Sequence, residues 1–292
     1  MNPLLVIGRG GQLSNALESM ELPDTVFVGM DTLDLSKPDN VRPVLEAYTP
    51  SAVLNAAAYT QVDLAEKEQD LAYAVNAESV RQIAIFCRAR GIPLLHVSTD
   101  YVFDGTGDQP RDEATPAAPL NVYGQSKLAG ELAIRDTGGE YLIFRTSWVF
   151  DHSGKNFVNT MLRLAAEHES LSVVDDQIGA PTYAPHLAQG MLKALRTAQA
   201  GAFASGVYHA SAGGEVSWCG FAREIFATAR HLGTTLKVKD VQPIASSAYP
   251  TPARRPLNSR LDCTKLERQL GVRLPDWKQG LRECLEKKYA AA

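Results

Sequence analysis

Leu4-Leu5-Val6-Ile7-Gly8-Arg9-Gly10-Gly11-Gln12-Leu13-Ser14 is the stretch from which the rest of the chain can be read. A short apolar run that stops at a cluster of glycines has the pattern of a buried parallel strand, a tight turn and a helix start. Such a turn aims backbone N–H groups and the positive end of a helix at a pyrophosphate. The strict G-x-G-x-x-G spacing fails at Leu13, and the looser G-x-x-G-x-x-G spacing has Gly8 and Gly11 but Ser14 in its last place. That last glycine normally permits close helix–strand packing, so Ser14 implies a small displacement of the helix or a local repacking. A glycine turn without a ligand would look the same, so the motif needs support from further along the chain.

Regular alternation supplies that support. Val26 to Met30 reads as a second strand ending at Asp31, with Asp34-Leu35-Ser36 beyond it against an adenine. A carboxylate at this distance from the glycines bonds a ribose 2′-hydroxyl and favours NAD, whereas Arg9 inside the turn suits a 2′-phosphate. These two cues disagree and leave the cofactor preference open. Ala52 to Asn55 is a third strand running into Ala56-Ala57-Ala58-Tyr59-Thr60. Small residues at a strand's carboxyl end give a ligand room to approach the backbone, although plain small-residue packing produces them too. A helix follows, with Ala72, Val75, Ser79, Ile83 and Phe86 at helical spacing and Gly91 and Pro93 ending it. Leu94 to Val97 is a fourth strand and Leu142 to Phe144 a fifth. Strand alternating with helix argues for an α/β chain built on a Rossmann-type, doubly wound parallel sheet. The boundaries expected are 1–150 for the dinucleotide-binding domain, completed by segments such as 171–200, and 151–292 for a smaller α/β substrate-binding domain.

The chemistry is concentrated between Ser98 and Glu131. The fourth strand delivers Ser98-Thr99-Asp100, and Tyr123 and Lys127 follow on a helix as the only Tyr-x-x-x-Lys pair in the chain. Residues four apart share one helix face. An ammonium beside a phenol is expected to lower the tyrosine pKa from about 10 toward the working pH. The phenol would then exchange a proton with a sugar or alcohol oxygen, which Thr99 hydrogen-bonds from the strand end. These are the parts needed to reduce a carbonyl beside a bound nicotinamide. The loop Asp104 to Pro119 lies between them and is placed to cover a substrate. Its acids, and Asp175-Asp176 further on, read as solvated rather than as a metal site. Arg254-Arg255 would clamp a diphosphate or face surface acids, and the two readings stand level. Trp148 follows a strand's carboxyl end, which favours stacking on a sugar or base over a place in the core.

Composition excludes several classes. A net charge of −4 gives no footprint for nucleic acid or an anionic membrane. No apolar run is long enough for a membrane span, and Met1-Asn2-Pro3 lacks the charged start of a signal peptide. Four scattered cysteines with no C-x-x-C fit a reducing compartment, so a cytoplasmic protein is expected.

In order along the chain stand Gly8-x-x-Gly11-Gln12, Asn55 to Thr60, Ser98-Thr99-Asp100-Tyr101-Val102-Phe103, Tyr123-x-x-x-Lys127, Arg145 to Phe150, Asp176-Gln177-x-Gly179-Ala180-Pro181-Thr182 and Thr251 to Arg260. Together, from Leu4 to about Gly280, they resemble the dTDP-4-dehydrorhamnose reductase family of extended short-chain dehydrogenase/reductases. The resemblance implies NADPH- or NADH-dependent reduction of the 4-keto group of dTDP-4-dehydro-L-rhamnose, the last step in making dTDP-L-rhamnose for surface polysaccharide such as O antigen. It implies Tyr123 as general acid, Lys127 as its tuner and nicotinamide-ribose ligand, and Thr99 as the group orienting the ketone. Asp100, Trp148 and Arg254 would meet the substrate. Gly8, Arg9, Gly11, Gln12, Leu13, Asp31, Asp34, Leu35, Ala57, Ala58, Tyr59 and Thr60 would line the cofactor together with Tyr123 and Lys127. Some members of the family bridge a dimer through Mg2+ held partly by a glutamate just after the glycine turn. Here that position is Ala16, so no metal ligand is assigned, and monomer and homodimer both stay open. Three rivals remain: a non-catalytic NADP-binding subunit resembling the methionine adenosyltransferase beta subunit, a sugar epimerase that retains NAD, and a related reductase giving the C4 epimer.

Overall fold

The structure is a computed structural model that describes residues 2–290. The opening apolar run is strand β1 (Leu4–Ile7), and it is joined by β2 (Thr25–Val28), β3 (Ala52–Asn55), β4 (Leu94–Thr99), β5 (Tyr141–Thr146) and β6 (Gly206–His209). These six strands form one sheet, all neighbours parallel, in the order β6-β5-β4-β3-β1-β2. The chain leaves β1 for one edge and returns past it to begin β3. The carboxyl ends of β1 and β3 therefore flank the crevice where an open parallel sheet binds its ligands.

Helices cover both faces, which is why the strands read as continuous apolar runs rather than alternating ones. One face carries Leu5, Ile7, Val53, Leu94 and Ile143, and the other Val6, Leu54, Leu95, Leu142 and Phe144. The second face lies under α1 (Gln12–Glu18). The first is covered by α2 (Ser79–Arg90) and α3 (Val122–Thr137). Helix α4 (Ala184–Gln199) packs beside α1. Each fully buried aliphatic side chain contributes roughly 1.5–3 kcal/mol, so the sheet is the main store of stability.

Three details depart from the sequence reading. The second strand stops at Val28, because the Gly29 carbonyl accepts from Thr32 (3.1 Å) and Leu33 (2.8 Å) and turns the chain, leaving Met30 77% exposed. The segment 171–200 divides, since the strand Ser170–Val174 pairs with Asp240–Ile244 in a separate two-stranded sheet while α4 joins the main one. Gly206–His209, a late and unremarkable apolar stretch, supplies the sixth strand. Beyond the sheet, helices Phe157–Glu167, Trp218–His231 and Trp277–Ala290 enclose a second core around Phe150, Phe221, Phe226 and Leu281. Among the described residues, no helix is long and apolar enough to cross a membrane.

A π-helical turn, Ala74–Glu78, precedes α2 and rotates Asn76 into the protein. Asn76 Oδ1 accepts from Tyr59 N at 2.9 Å, and its Nδ2 donates to Tyr59 O (3.1 Å) and Ser126 Oγ (3.0 Å). Helix α3 can approach this turn only through Gly130, where a Cβ would lie 2.1 Å from the Asn76 carbonyl oxygen. Gly130→Ala is therefore expected to destabilise the protein by about 1–3 kcal/mol through overpacking, read as a lower urea midpoint. An unchanged midpoint would show that α3 moves freely over Asn76.

Candidate active site

Alternation along β4 sends Leu94, His96 and Ser98 toward α3, and the strand ends at Thr99. Helix α3 begins at Asn121, whose Oδ1 accepts from Gly124 N at 2.8 Å as an N-cap. The same side chain donates from Nδ2 to the Arg254 carbonyl at 2.8 Å, so the start of the helix is tied to the Pro252 to Pro256 segment. Tyr123, on the first turn, sets its ring edge-on to Tyr101 at 5.5 Å between centroids. Burial pushes its phenol up to about 12; the neighbouring Thr99 hydroxyl opposes this and Asp100 reinforces it. Lys127 is 2% exposed. Its Nζ donates to Val97 O at 2.6 Å and lies 3.3 Å from His96 Nε2. Burial pushes the amine down to about 8, against the pull of Glu131. The expected lowering of the tyrosine pKa is thus reversed here. Desolvation disfavours the charged form of each group, and Tyr123 remains a phenol.

Thr99 Oγ1 donates to Asp100 Oδ1 at 3.0 Å and accepts from Tyr101 N at 3.2 Å. Asp100 is 2% exposed, and its Oδ2 has no hydrogen-bond partner. Burial pushes this carboxyl up to about 6, opposed by Ser259 and Thr99. A buried, unpartnered carboxyl oxygen beside Thr99 and Tyr123 is an acceptor ready for a ligand hydroxyl.

The glycine turn is locked to the end of β3. Gly8 has φ 109°, and a Cβ there would lie 2.8 Å from Ala57 N, so only glycine permits this backbone contact. In the first turn of α1, the N–H groups of Gln12 and Leu13 find no backbone acceptor. These free donors, beside the half-buried Ala57 and Ala58, fit a dinucleotide pyrophosphate. The other expected cofactor residues separate. The Leu13 and Leu35 side chains are in the core, and Asp34 accepts from Ser36 and pairs with Lys37. Tyr59 is buried, with its hydroxyl on Glu68, while Thr60 is exposed. The Gln12 amide faces Val149 O (3.4 Å) and Asn156 (3.0 Å). Arg9 pairs with Glu18 at the surface, and both Arg9 and Asp31 lie against Gly29, so the two conflicting specificity cues flank one spot. Ser14 is buried with its hydroxyl unpartnered.

A cavity of about 880 Å³ opens beside the smaller core, lined by Tyr101, Leu120, Trp218, Tyr249 and Arg254 among others. Tyr101 is the wall it shares with Tyr123. The arginine pair divides: Arg255 is held by Asp63 through two hydrogen bonds of 2.8 and 3.0 Å, whereas Arg254 is exposed in the cavity wall with its carbonyl anchored. Trp148, with φ 50°, stacks flat on Trp218 at 3.6 Å, and it is Trp218 that lines the cavity. Of the acids, Asp104 accepts from Thr106 and Arg111, Asp175 from Ser217 and Asp176 from Ser246. Among the described residues, no three His, Cys, Asp or Glu side chains converge, and Ala16 is packed in the core with no oxygen to offer. The residues present do not fit the magnesium site of the resembling family.

Sequence reasoning missed His96, the Asn55 side chain, Asn76, Ser259 and the buried pair of Arg145 with Glu131, where Nη2 and Oε2 lie 2.6 Å apart. Asn121 had a usable signal, an N-cap residue two places before Tyr123. The others are single polar residues whose partners are distant in the chain.

The family model described as the RmlD substrate binding domain matches residues 1–290. The chain is 46% identical to dTDP-4-dehydrorhamnose reductase of Burkholderia thailandensis over 97% of each protein. It is 42% identical to that of Salmonella typhimurium over 98% of each. A crystal structure of dTDP-4-dehydrorhamnose reductase from Bacillus anthracis in complex with NADP superposes with a TM-score of 0.90 at 36% identity, covering 98% of this chain and 99% of that one.

The Asp100 carboxyl makes a testable demand on stability. Its folded pKa of about 6 lies above the ordinary value of about 3.9, so the folded state holds the proton more tightly than the unfolded one. Stability contributed by this group is fully present below about pH 4 and is lost as the pH rises through about 6. Asp100→Asn should gain about 1–3 kcal/mol above that range and little near pH 4, measured by urea unfolding at both. An equal gain at the two pH values would exclude the ionisation as its source.

Proposed function

The chain belongs to the dTDP-4-dehydrorhamnose reductase family, and we propose that it reduces the 4-keto group of dTDP-4-dehydro-L-rhamnose with NAD(P)H to give dTDP-L-rhamnose. This is the last step in forming that activated sugar for surface polysaccharide such as O antigen. Four cysteines that are all free suit the cytoplasm, where the dTDP-sugar would be consumed. The observation that carries the reading is the meeting of Thr99, Tyr123 and the unpartnered Asp100 Oδ2, next to Tyr101 in the cavity wall.

Gly8, Gly11 and the free N–H groups of Gln12 and Leu13 would hold the cofactor pyrophosphate, with Ala57 and Ala58 leaving room beside them. A dinucleotide held this way would supply the hydride from its nicotinamide. Arg9 and Asp31 flank the spot where the ribose 2′ position, by which NADPH and NADH differ, would lie. Thr99 Oγ1 orients the ketone oxygen. Tyr123, kept as a phenol by burial, donates its proton to that oxygen as negative charge develops. Asp100 accepts from a ring hydroxyl and so fixes which face of the sugar is presented. Arg254 reaches the diphosphate from the cavity wall, and Trp148 backs Trp218 as the stacking surface.

Tyr123→Phe is expected to lower kcat by about 10²–10⁴-fold with NADPH affinity unchanged, followed through oxidation of the reduced nicotinamide. Near-full activity in a folded variant would remove Tyr123 from the role of acid. Arg254→Ala should raise the KM for the dTDP-sugar about 10–100-fold and spare kcat, the effect of losing hydrogen bonds to a charged group. NMR of the product decides the C4 configuration.

A further inference from the structure

Arg254 and Arg255 are neighbours in the chain with different partners, and the difference gives them different work. The Arg254 side chain is exposed in the cavity wall. Arg255 is half-buried and committed to Asp63, with Nη2 donating to Oδ2 at 2.8 Å and Nη1 to Oδ1 at 3.0 Å. Two parallel bonds of this kind fix direction as well as distance.

Asp63 does more than neutralise its partner. Its Oδ1 also accepts from Ala253 N at 3.1 Å, and Arg255 Nη1 reaches back to Ala253 O at 3.1 Å. Both backbone polar groups of the buried Ala253 are therefore tied to the pair, and Thr251 Oγ1 adds a bond of 2.9 Å to the same carbonyl. On the far side, the Arg254 carbonyl accepts from Asn121 Nδ2 at 2.8 Å. Pro256 then packs against Gly105, where a Cβ would lie 2.4 Å from the proline ring. The Arg254 side chain thus projects into the cavity wall from a backbone held before and after it.

The anchor belongs to the other half of the molecule. Asp63 lies on the short helix Val62–Ala65, three residues past Thr60 at the end of the alanine stretch. Glu66, just beyond it, accepts from Val122 N at 2.9 Å, next to Tyr123. The segment that carries Arg254 is therefore referenced to the start of α3 twice, through Asn121 and through the helix that bears Asp63.

We propose that Asp63 and Arg255 are positioning residues for the sugar nucleotide: their pair fastens residues 253–255 to the helix after β3 and so presents the Arg254 guanidinium to the diphosphate. The proposal deepens the reductase reading and rests on it for the identity of the ligand. Arg255 holds rather than binds. Its hydrogen bonds keep the Asp63 carboxyl below the usual carboxylate range, so the pair stays fully charged at neutral pH.

The test uses dTDP as probe and needs no turnover. Calorimetry on the full chain should show dTDP binding weakened about 10–100-fold by Arg254→Ala and about 5–50-fold by Asp63→Ala. In the Arg254→Ala background, Asp63→Ala should add less than about twofold, because residues that act through one another are not additive. Arg255→Lys keeps the positive charge but cannot make both bonds to Asp63, so it should weaken dTDP only while Arg254 is present. In turnover these losses should fall on the KM for the dTDP-sugar rather than on kcat. Equal losses with and without Arg254 would mean that the pair acts on the fold and not through Arg254, and would overturn the proposal. Unchanged or tighter dTDP binding in Asp63→Ala would overturn it as well, by showing that a released Arg255 serves the diphosphate itself. Either result would leave the reductase reading standing, whereas a wild-type protein that bound no dTDP would remove the ligand from that reading and the proposal together.

Discussion

Burying ionisable side chains between one strand and one helix is the constraint on which the site depends. Lys127, Glu131 and Arg145 are all nearly inaccessible, and an unpaired charge in such a place costs several kcal/mol. The contact of α3 with β4 is tolerable only because each group meets a partner in register. Glu131 takes Ser98 and two hydrogen-bonding nitrogens of Arg145, whose guanidinium also lies over Phe103. Lys127 takes the Val97 carbonyl and His96. Ser98 pairs across the sheet with Arg145, and Asn55 with His96, so the parallel register itself assembles the network. A slip of one residue would turn these side chains to the opposite face. The chemistry at Tyr123 is therefore specified by strand pairing two layers below it.

Two close backbone approaches connect this layer to the rest. Gly8 against Ala57 binds the glycine turn to the end of β3, and Gly130 against Asn76 binds α3 to the π turn. Asn76 in turn holds Tyr59, which follows the small residues at the end of β3. The cofactor crevice and the acid helix thus share one framework, built from backbone contacts that tolerate no Cβ. Asn121 extends the framework toward the substrate by capping α3 with one end of its amide and holding the Arg254 carbonyl with the other.

Much of the large sheet was legible because its strands are apolar on both faces and end at glycine, aspartate or threonine. Punctuation of that kind survives without knowledge of any partner. The smaller core was not legible in the same way: Ser170–Val174 finds its strand partner in Asp240–Ile244, far along the chain, and neither stretch names the other. Within the site, Thr99, Tyr123 and Lys127 could be read from spacing, but their electrostatics could not. Sequence places an ammonium four residues from a phenol; it does not say that both are buried, and burial is what reverses the expected shift. His96 shows the same limit. A lone histidine in an apolar strand carries no signal until Asn55 and Lys127 are seen on either side of it.

The residues that fit the fold least well lie closest to the chemistry. Asp100 keeps one carboxyl oxygen buried without a donor, and Trp148 adopts φ 50°, a conformation bulky side chains rarely hold. Both stand at strand ends that face the crevice or the cavity. Trp148 can take that conformation because Gly179 leaves space for its ring, where a Cβ would lie 2.8 Å away, and because Trp218 stacks on its other side. Asp100 has no such compensation within the chain: Thr99 and Ser259 satisfy only part of it. A folded protein that leaves a carboxyl oxygen in this state gains from any ligand hydroxyl that reaches it. On the proposed reduction, that gain would go to a sugar presented at the angle at which Thr99 and Tyr123 also meet its oxygen, and selectivity for one face of the substrate would follow from an acceptor that the fold itself leaves unsatisfied.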